Sequence, residues 1–287
     1  MKLLAVLSIL VVAVASKNIN IEAGVVAEEN NGYHAKIGIP LAAEILRRET
    51  EQQASRITGG SPSALGQFPY QVGLIIHFPN RDSVCGGSII TAWRVLTAAH
   101  CWDDGWQLAN AMTVVAGTTT LFFGGQRITT SQAVLHPDWN SSLIRNDIAL
   151  LYLPSALTFS NIVAPVELPS ANELNNNFAG MTGTVSGFGL LGDGVGISVN
   201  QYLSHVEVPV ISNSECASSF PSFLMDTNIC TSGAGSKSPC SSDSGGPLVV
   251  VSNGRLVSFG SGFGCQAGFP AVYARTTSYL DWILRTL

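Results

Sequence analysis

Short apolar runs and alternating apolar and polar residues recur from residue 72 onward, with turn-forming residues between them. This spacing predicts an all-β fold. The strand candidates are Val72 to Ile76 and the segments SIITAWRVLTAAHC, AMTVVAGTTTLFF, DIALLYL, MTGTVSGF, LSHVEVPVI, GGPLVVV, GRLVSFG and AVYARTT. Helical spacing is clearest at the C-terminal end and predicts a helix there. Its apolar face is expected to consist of Leu280, Ile283, Leu284 and Leu287.

A polar, proline-containing stretch, APVELPSANELNNN, divides the strand candidates into two groups and is predicted to link two strand-rich lobes. The chain has 287 residues, of which 46% are apolar and 11% charged, so it can bury a large core. Its net charge is -5 and it has no basic block, which excludes nucleic acid as a partner.

The N-terminal part of the chain has a different composition. Met1 and Lys2 precede a short apolar stretch that ends in AVAS, which is typical of a secretory signal peptide and too short to span a membrane. We therefore expect a signal peptide over residues 1–16, a secreted protein and no membrane association. Residues 17–56 hold six of the chain's nineteen acidic residues and no cysteine, and LAAEILRRETEQQ predicts a short helix. Charges become sparse beyond Arg56, so a domain boundary is expected there.

Six cysteines follow that boundary, and none lies in a C-x-x-C pair of the kind that indicates zinc or redox chemistry. In a secreted protein they are candidates for three disulfides. They are Cys85, Cys101, Cys216, Cys230, Cys240 and Cys265. The segment GFGLLG matches a dinucleotide-binding pattern, but the residues after it cannot open a helix. We therefore expect no metal and no cofactor.

Three chemically reactive residues stand in unusual settings. His100, in VLTAAHCW, ends an apolar strand beside a cysteine. Asp147, in RNDIALLYL, opens a strongly apolar strand, where a carboxylate needs a buried donor. Ser244, in SSDSGG, lies in a tight turn that can present its hydroxyl and backbone N–H groups on one side. Acyl hydrolysis by a serine requires such a base, and the base requires such a carboxylate.

In this chain order the three phrases resemble the trypsin-like serine proteases of the chymotrypsin type. ITGG, CGGS, TAAHC, NDIALL, CSSDSGGP and VSFGSG occur in that family's order between Ile57 and Leu287. The ending GCQAGFPAVYARTTSYLDWI is most similar to arthropod digestive chymotrypsins and collagenase-type relatives. The resemblance implies two six-stranded antiparallel barrels with the active site between them. It also implies the disulfides Cys85–Cys101, Cys216–Cys230 and Cys240–Cys265.

The resemblance further implies a catalytic role for each matching residue. His100 is the general base and then the general acid, Asp147 orients it, and Ser244 is the nucleophile. Ser258 supports Asp147 by a hydrogen bond. The backbone N–H groups of Ser242 and Ser244 form the oxyanion hole.

Zymogen activation follows from the same resemblance. Residues 17–56 are then an activation propeptide, and residues 57–287 the protease domain. A trypsin-like partner protease cuts after Arg56, and the new ammonium group of Ile57 pairs with Asp243. Because the propeptide has no cysteine, we expect it to dissociate. Other expected partners are protein or peptide substrates and protein inhibitors, and the protease is expected to be a monomer.

The resemblance implies a specificity pocket with Ser238 at its base and Gly260 and Ala271 on its walls, and all three residues are uncharged. A substrate arginine or lysine would be buried there without a counter-ion, so cleavage after large apolar or aromatic residues is expected. The methyl group of Ala271 narrows the pocket, which leaves an elastase-like preference as an alternative.

Ser242 departs from the family pattern, which has glycine at this position. A side chain in that backbone conformation costs about 1 to 3 kcal/mol. Loss of one oxyanion donor lowers turnover by about 10²- to 10³-fold. A second hypothesis is therefore a protease homologue that binds peptides but cuts them poorly.

Overall fold

The computed structural model of the chain describes residues 32–52, 63–189, 202–220, 224–234, 243–250, 254–261 and 268–287. These residues fall within one structural unit, residues 31–287. The predicted signal peptide lies outside them. So do six of the predicted site residues, which are Arg56, Ile57, Ser238, Cys240, Ser242 and Cys265. Within the described ranges, no helix is both long and apolar enough to cross a membrane.

Seven of the described strands form one antiparallel sheet. They are β1 (Gln71–Phe78), β2 (Arg81–Thr91), β3 (Arg94–Thr97), β4 (Ala111–Ala116), β5 (Gln126–Thr130), β6 (Ala133–Leu135) and β7 (Ala149–Tyr152). Their order across the sheet is β5-β4-β1-β2-β3-β7-β6. Only Ser131 and Gln132 separate the two edge strands in sequence, so the sheet curls to bring its edges together.

A bend at residues 131–132 explains why this sheet has seven described strands where six were predicted. The Thr130 hydroxyl donates a 2.5 Å hydrogen bond to the Tyr152 carbonyl and accepts one of 3.0 Å from the Gln132 amide. The Tyr152 amide in turn donates to the Gln132 carbonyl over 3.0 Å. These bonds divide one bent strand into β5, which pairs with β4, and β6, which pairs with β7.

Six further described strands close into an antiparallel barrel. They are β8 (Thr182–Gly187), β9 (Ser204–Ile211), β10 (Asn228–Thr231), β11 (Gly246–Val250), β12 (Leu256–Ser261) and β13 (Ala271–Arg275). Their order around the barrel is β10-β13-β12-β11-β8-β9. Alternation is clear along β13, where Ala271 and Tyr273 join the barrel core while Val272 packs on the other side against Cys216 and Cys230.

The connection between β7 and β8 contains the stretch predicted to link the two lobes. It is irregular except for a 3₁₀ turn at Ala171–Glu173. Ser170 caps this turn, because its amide and hydroxyl both donate to the Glu173 carboxylate. The two curled antiparallel sheets on either side of the connection confirm the predicted fold class.

The C-terminal helix is present, but its buried face differs from the prediction. A short helix, α2 (Asn213–Ala217), precedes it in the chain, and the C-terminal helix is α3 (Thr276–Thr286). Leu280 and Ile283 are buried as expected, but Leu284 and Leu287 are 54% and 41% exposed. Tyr279 is buried in their place. The apolar face therefore runs through residues 279, 280 and 283, while Leu284 lies off this face and Leu287 follows the last residue of the helix.

A helix also forms within the predicted propeptide. A π-helical turn at His34–Gly38 continues directly into α1 (Ile39–Gln52). Pro40, the second residue of α1, has no N–H group to donate to the preceding π-helical turn. The buried residues of α1 recur every three or four positions, and they are Leu41, Ala42, Ile45 and Glu49. This spacing turns one face of α1 toward the first sheet.

Candidate active site

His100 is fixed by its backbone and by a neighbouring disulfide. It lies in a 3₁₀ turn, Ala99–Cys101, that follows β3. Cys101 forms a disulfide with Cys85 of β2, with a Cα–Cα distance of 6.2 Å. This crosslink ties the turn to the centre of the first sheet. The imidazole is only 8% exposed, so its orientation is set by protein contacts rather than by water.

Asp147 holds His100 through both of its carboxylate oxygens. His100 Nδ1–H donates to Oδ2 over 2.7 Å, and the His100 backbone N–H donates to Oδ1 over 2.8 Å. This pairing satisfies the buried donor requirement that the sequence posed for Asp147. It also leaves Nε2 of the neutral imidazole without a proton, which is the form that a general base needs.

Asn146 places Asp147, a contribution that the sequence reasoning missed. Its backbone has a φ of 55°, in the left-handed region that asparagine tolerates better than most residues. Its side-chain oxygen accepts a hydrogen bond of 3.1 Å from the Tyr279 hydroxyl on α3. Its carbonyl accepts the Ile148 amide over 2.9 Å. An asparagine directly before the acid is a sequence signal that could have indicated this turn.

The electrostatic setting of His100 favours its charged form. Burial by itself lowers the pKa of the imidazole, but the negative charge and hydrogen bond of Asp147 outweigh it. Asp104 adds a further attraction, and the net effect raises the pKa of His100 above its ordinary value. A raised pKa strengthens the neutral imidazole as a base and stabilises the imidazolium that forms when it accepts a proton.

Ser244 lies in a turn that only glycine can complete. Gly245 has a φ of 78°, and a Cβ there would lie 2.2 Å from Thr97 Oγ1. Gly246 N–H donates to the Asp243 carbonyl over 2.9 Å and closes the turn. The two glycines after Ser244 therefore follow from the geometry of the turn.

The same turn joins the two sheets next to His100. The Ser244 carbonyl accepts a 2.7 Å hydrogen bond from the Gly86 amide of β2. A Cβ on Gly86 would lie 2.9 Å from Gly246 Cα, so both glycines permit the close approach. Cys101 Sγ lies 3.7 Å from the Ser244 carbonyl oxygen and 3.8 Å from His100 Nε2. The structure thus brings together the turns that carry His100, Asp147 and Ser244.

The remaining predicted residues fall around this site. Asp243 accepts a hydrogen bond of 2.8 Å from the Gly189 amide, at the end of β8. Ser258 is fully buried and its hydroxyl donates to the Ala274 carbonyl over 2.8 Å. Its predicted support of Asp147 stays a prediction. Gly260 pairs with Gly246 across β11 and β12, and Ala271 is buried in the barrel core.

Two described disulfides join the cysteine pairs that the resemblance implied. They are Cys85–Cys101 and Cys216–Cys230. The predicted pair Cys240–Cys265 lies outside the described residues. Among the described residues, Cys85, His100 and Cys101 are close enough to share a metal ion. Both thiols are consumed by the disulfide, so this group cannot act as a thiolate site.

Comparison with known proteins shows the family. The family model described as Trypsin matches residues 57–283. The chain belongs to the trypsin family. A solved structure titled "HL collagenase structure at 1.7A resolution" has a TM-score of 0.72 and 33% identity to this trypsin-family chain, and the match covers 80% of this chain and 98% of that one.

Three curated relatives give the same assignment. The collagenase of Hypoderma lineatum is 37% identical over 238 residues, 81% of this chain and 88% of that protein. Serine protease 1 of Drosophila melanogaster is 41% identical over 238 residues, 79% of this chain and 84% of that protein. Brachyurin of Leptuca pugilator is 36% identical over 233 residues, 79% of this chain and 96% of that protein. This trypsin-family chain is therefore a serine endopeptidase of the chymotrypsin type.

Proposed function

We propose that this serine protease is secreted as a zymogen, is activated by cleavage after Arg56, and then cuts peptide bonds after large apolar or aromatic residues. The observation that carries the catalytic part is the placement of His100 between the carboxylate of Asp147 and the Ser244 turn. Two described disulfides support export, because such bonds persist in oxidising compartments.

The proposed reaction proceeds in two steps. The Ser244 hydroxyl attacks the peptide carbonyl and transfers its proton to His100, while Asp147 holds the opposite N–H. Backbone N–H groups of Ser242 and Ser244 stabilise the oxyanion, and His100 returns the proton to the departing amine. Water then attacks the acyl-serine and gives a proton to His100. His100 returns that proton to the Ser244 oxygen as the acyl product leaves.

The proposed specificity depends on the absence of a negative charge in the pocket. Ser238, Gly260 and Ala271 carry no charge. Tyr273 lies two residues beyond Ala271 on the same face of β13, and burial raises the pKa of its phenol far above neutrality. The phenol therefore stays uncharged and shares a 3.0 Å hydrogen bond with the Thr231 hydroxyl. A substrate arginine or lysine would find no counter-ion among these groups.

Peptide-library profiling tests this specificity. We expect cleavage after Phe, Tyr, Leu and Met and little cleavage after Arg or Lys. Removing one methyl group in Ala271→Gly widens the pocket, so kcat/KM for aromatic relative to leucine substrates should rise by about 3- to 5-fold, from about 0.8 kcal/mol per methyl-sized group. Dominant cleavage after Arg contradicts the pocket assignment, and dominant cleavage after Ala or Val supports the elastase-like alternative.

Activation is tested on the purified proform. An uncharged pocket does not favour Arg56, so the proform should not activate itself and should require trypsin. The product should begin at Ile57, since its ammonium group is the proposed partner of Asp243. Arg56→Gln should block activation by trypsin, and Arg47→Gln on the exposed face of α1 serves as a control that should activate normally. Active protein with another N-terminus refutes this activation route.

The second candidate function is a peptide-binding homologue with weak catalysis, and Ser242 in place of the family's glycine is the observation that favours it. The two functions differ in the first turnover. An acylating substrate gives a stoichiometric burst with a protease and no burst with the homologue.

A further inference from the structure

The predicted propeptide helix packs into an apolar surface on the first sheet. The buried residues of α1 share one cluster with residues from β1, β2, β4 and the loops after β4 and β8. On the helix these are Leu41, Ala42 and Ile45; on the other side they are Ile75, Val84, Val115, Leu121, Phe188 and Leu203. We call these six residues the propeptide-docking face. Ile45 is only 1% exposed, and burial of its side chain contributes strongly to the free energy of docking.

A buried carboxylate fixes the other end of the helix. Glu49 is 3% exposed and accepts hydrogen bonds from the Leu121 and Phe122 amides over 2.5 and 2.6 Å. Burial raises the pKa of Glu49, although both amide bonds and nearby Arg127 favour its charged form. Glu49 lies on the buried, otherwise apolar face of α1. Because its carboxylate pairs with two backbone amides of the protease domain, it fixes the position of α1 along the sheet.

The N-terminal end of the same segment reaches the active site. The Tyr33 ring lies edge-on to the His100 ring, with 4.8 Å between centroids. Its hydroxyl donates to the Val84 carbonyl over 2.7 Å, directly before the cysteine that is crosslinked to Cys101. Tyr33 therefore covers one side of the proposed catalytic base.

His34 anchors Tyr33 in this position. Its backbone N–H donates to Asp104 Oδ2 over 2.9 Å, and its Nδ1 lies 2.9 Å from the Ser83 hydroxyl. The ring packs edge-on against Phe78 with 4.9 Å between centroids and is fully buried. Contacts at both ends of residues 33–49 thus hold the segment along one face of the protease domain.

We propose that residues 32–52 are a non-covalent inhibitory segment, which docks on the propeptide-docking face and obstructs substrate access to His100 by packing the Tyr33 ring against the imidazole. The segment stays bound after the chain is cut at Arg56, and inhibition ends only when it is displaced or degraded. This inference rests on the proposed zymogen function. The absence of a cysteine from residues 17–56 predicted dissociation, but the buried contacts of Ile45, Glu49 and His34 hold the segment in place of a disulfide.

The retention experiment uses the full proform in a Ser244→Ala background, so that it does not depend on catalysis. Trypsin cuts the proform at Arg56 and the products are separated by gel filtration without denaturant. The segment should co-elute with the protease domain, with Arg47 and Arg48 uncut because a docked helix does not fit a protease cleft. Ile45→Ala should weaken retention roughly 100-fold. Leu46→Ala, on the exposed face of the same helix, should leave it unchanged.

The inhibition experiment uses the cut proform with Ser244 intact. Ile45→Ala should show at least tenfold higher kcat/KM on peptide substrates than the wild-type product, and a synthetic peptide of residues 32–52 should restore inhibition. Tyr33→Ala should relieve inhibition while the segment still co-elutes, whereas Tyr33→Phe should inhibit because the ring is kept. These variants separate occlusion of His100 from simple helix packing.

Two results overturn the inference. One is separate elution of the wild-type segment from the Ser244→Ala protein, and the other is equal behaviour of Ile45→Ala and Leu46→Ala. A wrong assignment of the protease function gives a different result. The segment then still co-elutes, but the cut protein shows no activity even after the segment has been removed.

Discussion

Replacing Ser244 with alanine is expected to abolish the acyl burst of the activated protein and to lower kcat by about 10⁵- to 10⁶-fold. The Ser244 hydroxyl is the proposed nucleophile beside His100, and its backbone carbonyl keeps the hydrogen bond to Gly86 in the variant. The turn should therefore survive the substitution. Burst titration measures the number of acylated sites, and thermal unfolding checks that Tm is unchanged.

A matched control is Ser214→Ala, because Ser214 is an exposed serine at the start of α2, on the surface of the second lobe. Its burst should equal that of the wild-type protein. A burst retained in Ser244→Ala would show that another hydroxyl is acylated. Absence of a burst from the activated wild-type protein, after residues 32–52 have been removed, would instead favour the weakly catalytic homologue.

Replacing Asp147 with asparagine is expected to lower kcat by about 10⁴-fold, the general magnitude for this change in a Ser-His-Asp triad. An asparagine amide can donate a hydrogen bond to His100 Nδ1, which leaves the proton on Nε2, the nitrogen that must accept one from Ser244. The exposed Asp138→Asn variant removes a carboxylate on the loop before Asp147 and should keep its activity.

The pH dependence of the Asp147→Asn variant provides a second measurement. Asp147 is the main reason that the pKa of His100 is raised, so the neutral base in the wild-type protein is lost as pH falls through that raised value. Without the carboxylate, burial lowers the pKa, and the acidic limb of the kcat profile should move to lower pH. A variant with wild-type kcat, or a limb that moves upward, contradicts the role of Asp147.

Much of this fold is predictable because short apolar runs bounded by turn residues are a local property of the sequence. β1, β4, β7 and β13 each arise from apolar residues within a few positions of one another. The division of one strand into β5 and β6 was not predictable, since it depends on hydrogen bonds between Thr130 and Tyr152 across the sheet. The buried face of α3 was predicted only in part, because packing against the sheets determines which side of the helix is covered.

Two site features were missed for a related reason. The role of Asn146 depends on Tyr279 of α3, whose hydroxyl reaches the Asn146 side chain only in the folded protein. Tyr33 lies 67 positions before His100 in the chain, and nothing in the local sequence relates the two. Glu49 lies on the same face of α1 as Leu41, Ala42 and Ile45, and this is the sequence signal that could have indicated a docked helix. A carboxylate buried on an apolar face needs hydrogen-bond donors from another part of the chain.

The sequence by itself determined the all-β class and a helix near each end, since residue spacing acts over short segments. It assigned roles to His100, Asp147 and Ser244 only through the family resemblance, and those roles stay predictions. Tertiary structure alone decided that His100 Nδ1 lies 2.7 Å from Asp147, that Gly86 admits the Ser244 turn, and that α1 covers the first sheet. Those arrangements join residues from distant segments, and their contacts exist only after the strands have paired and the two sheets have packed together.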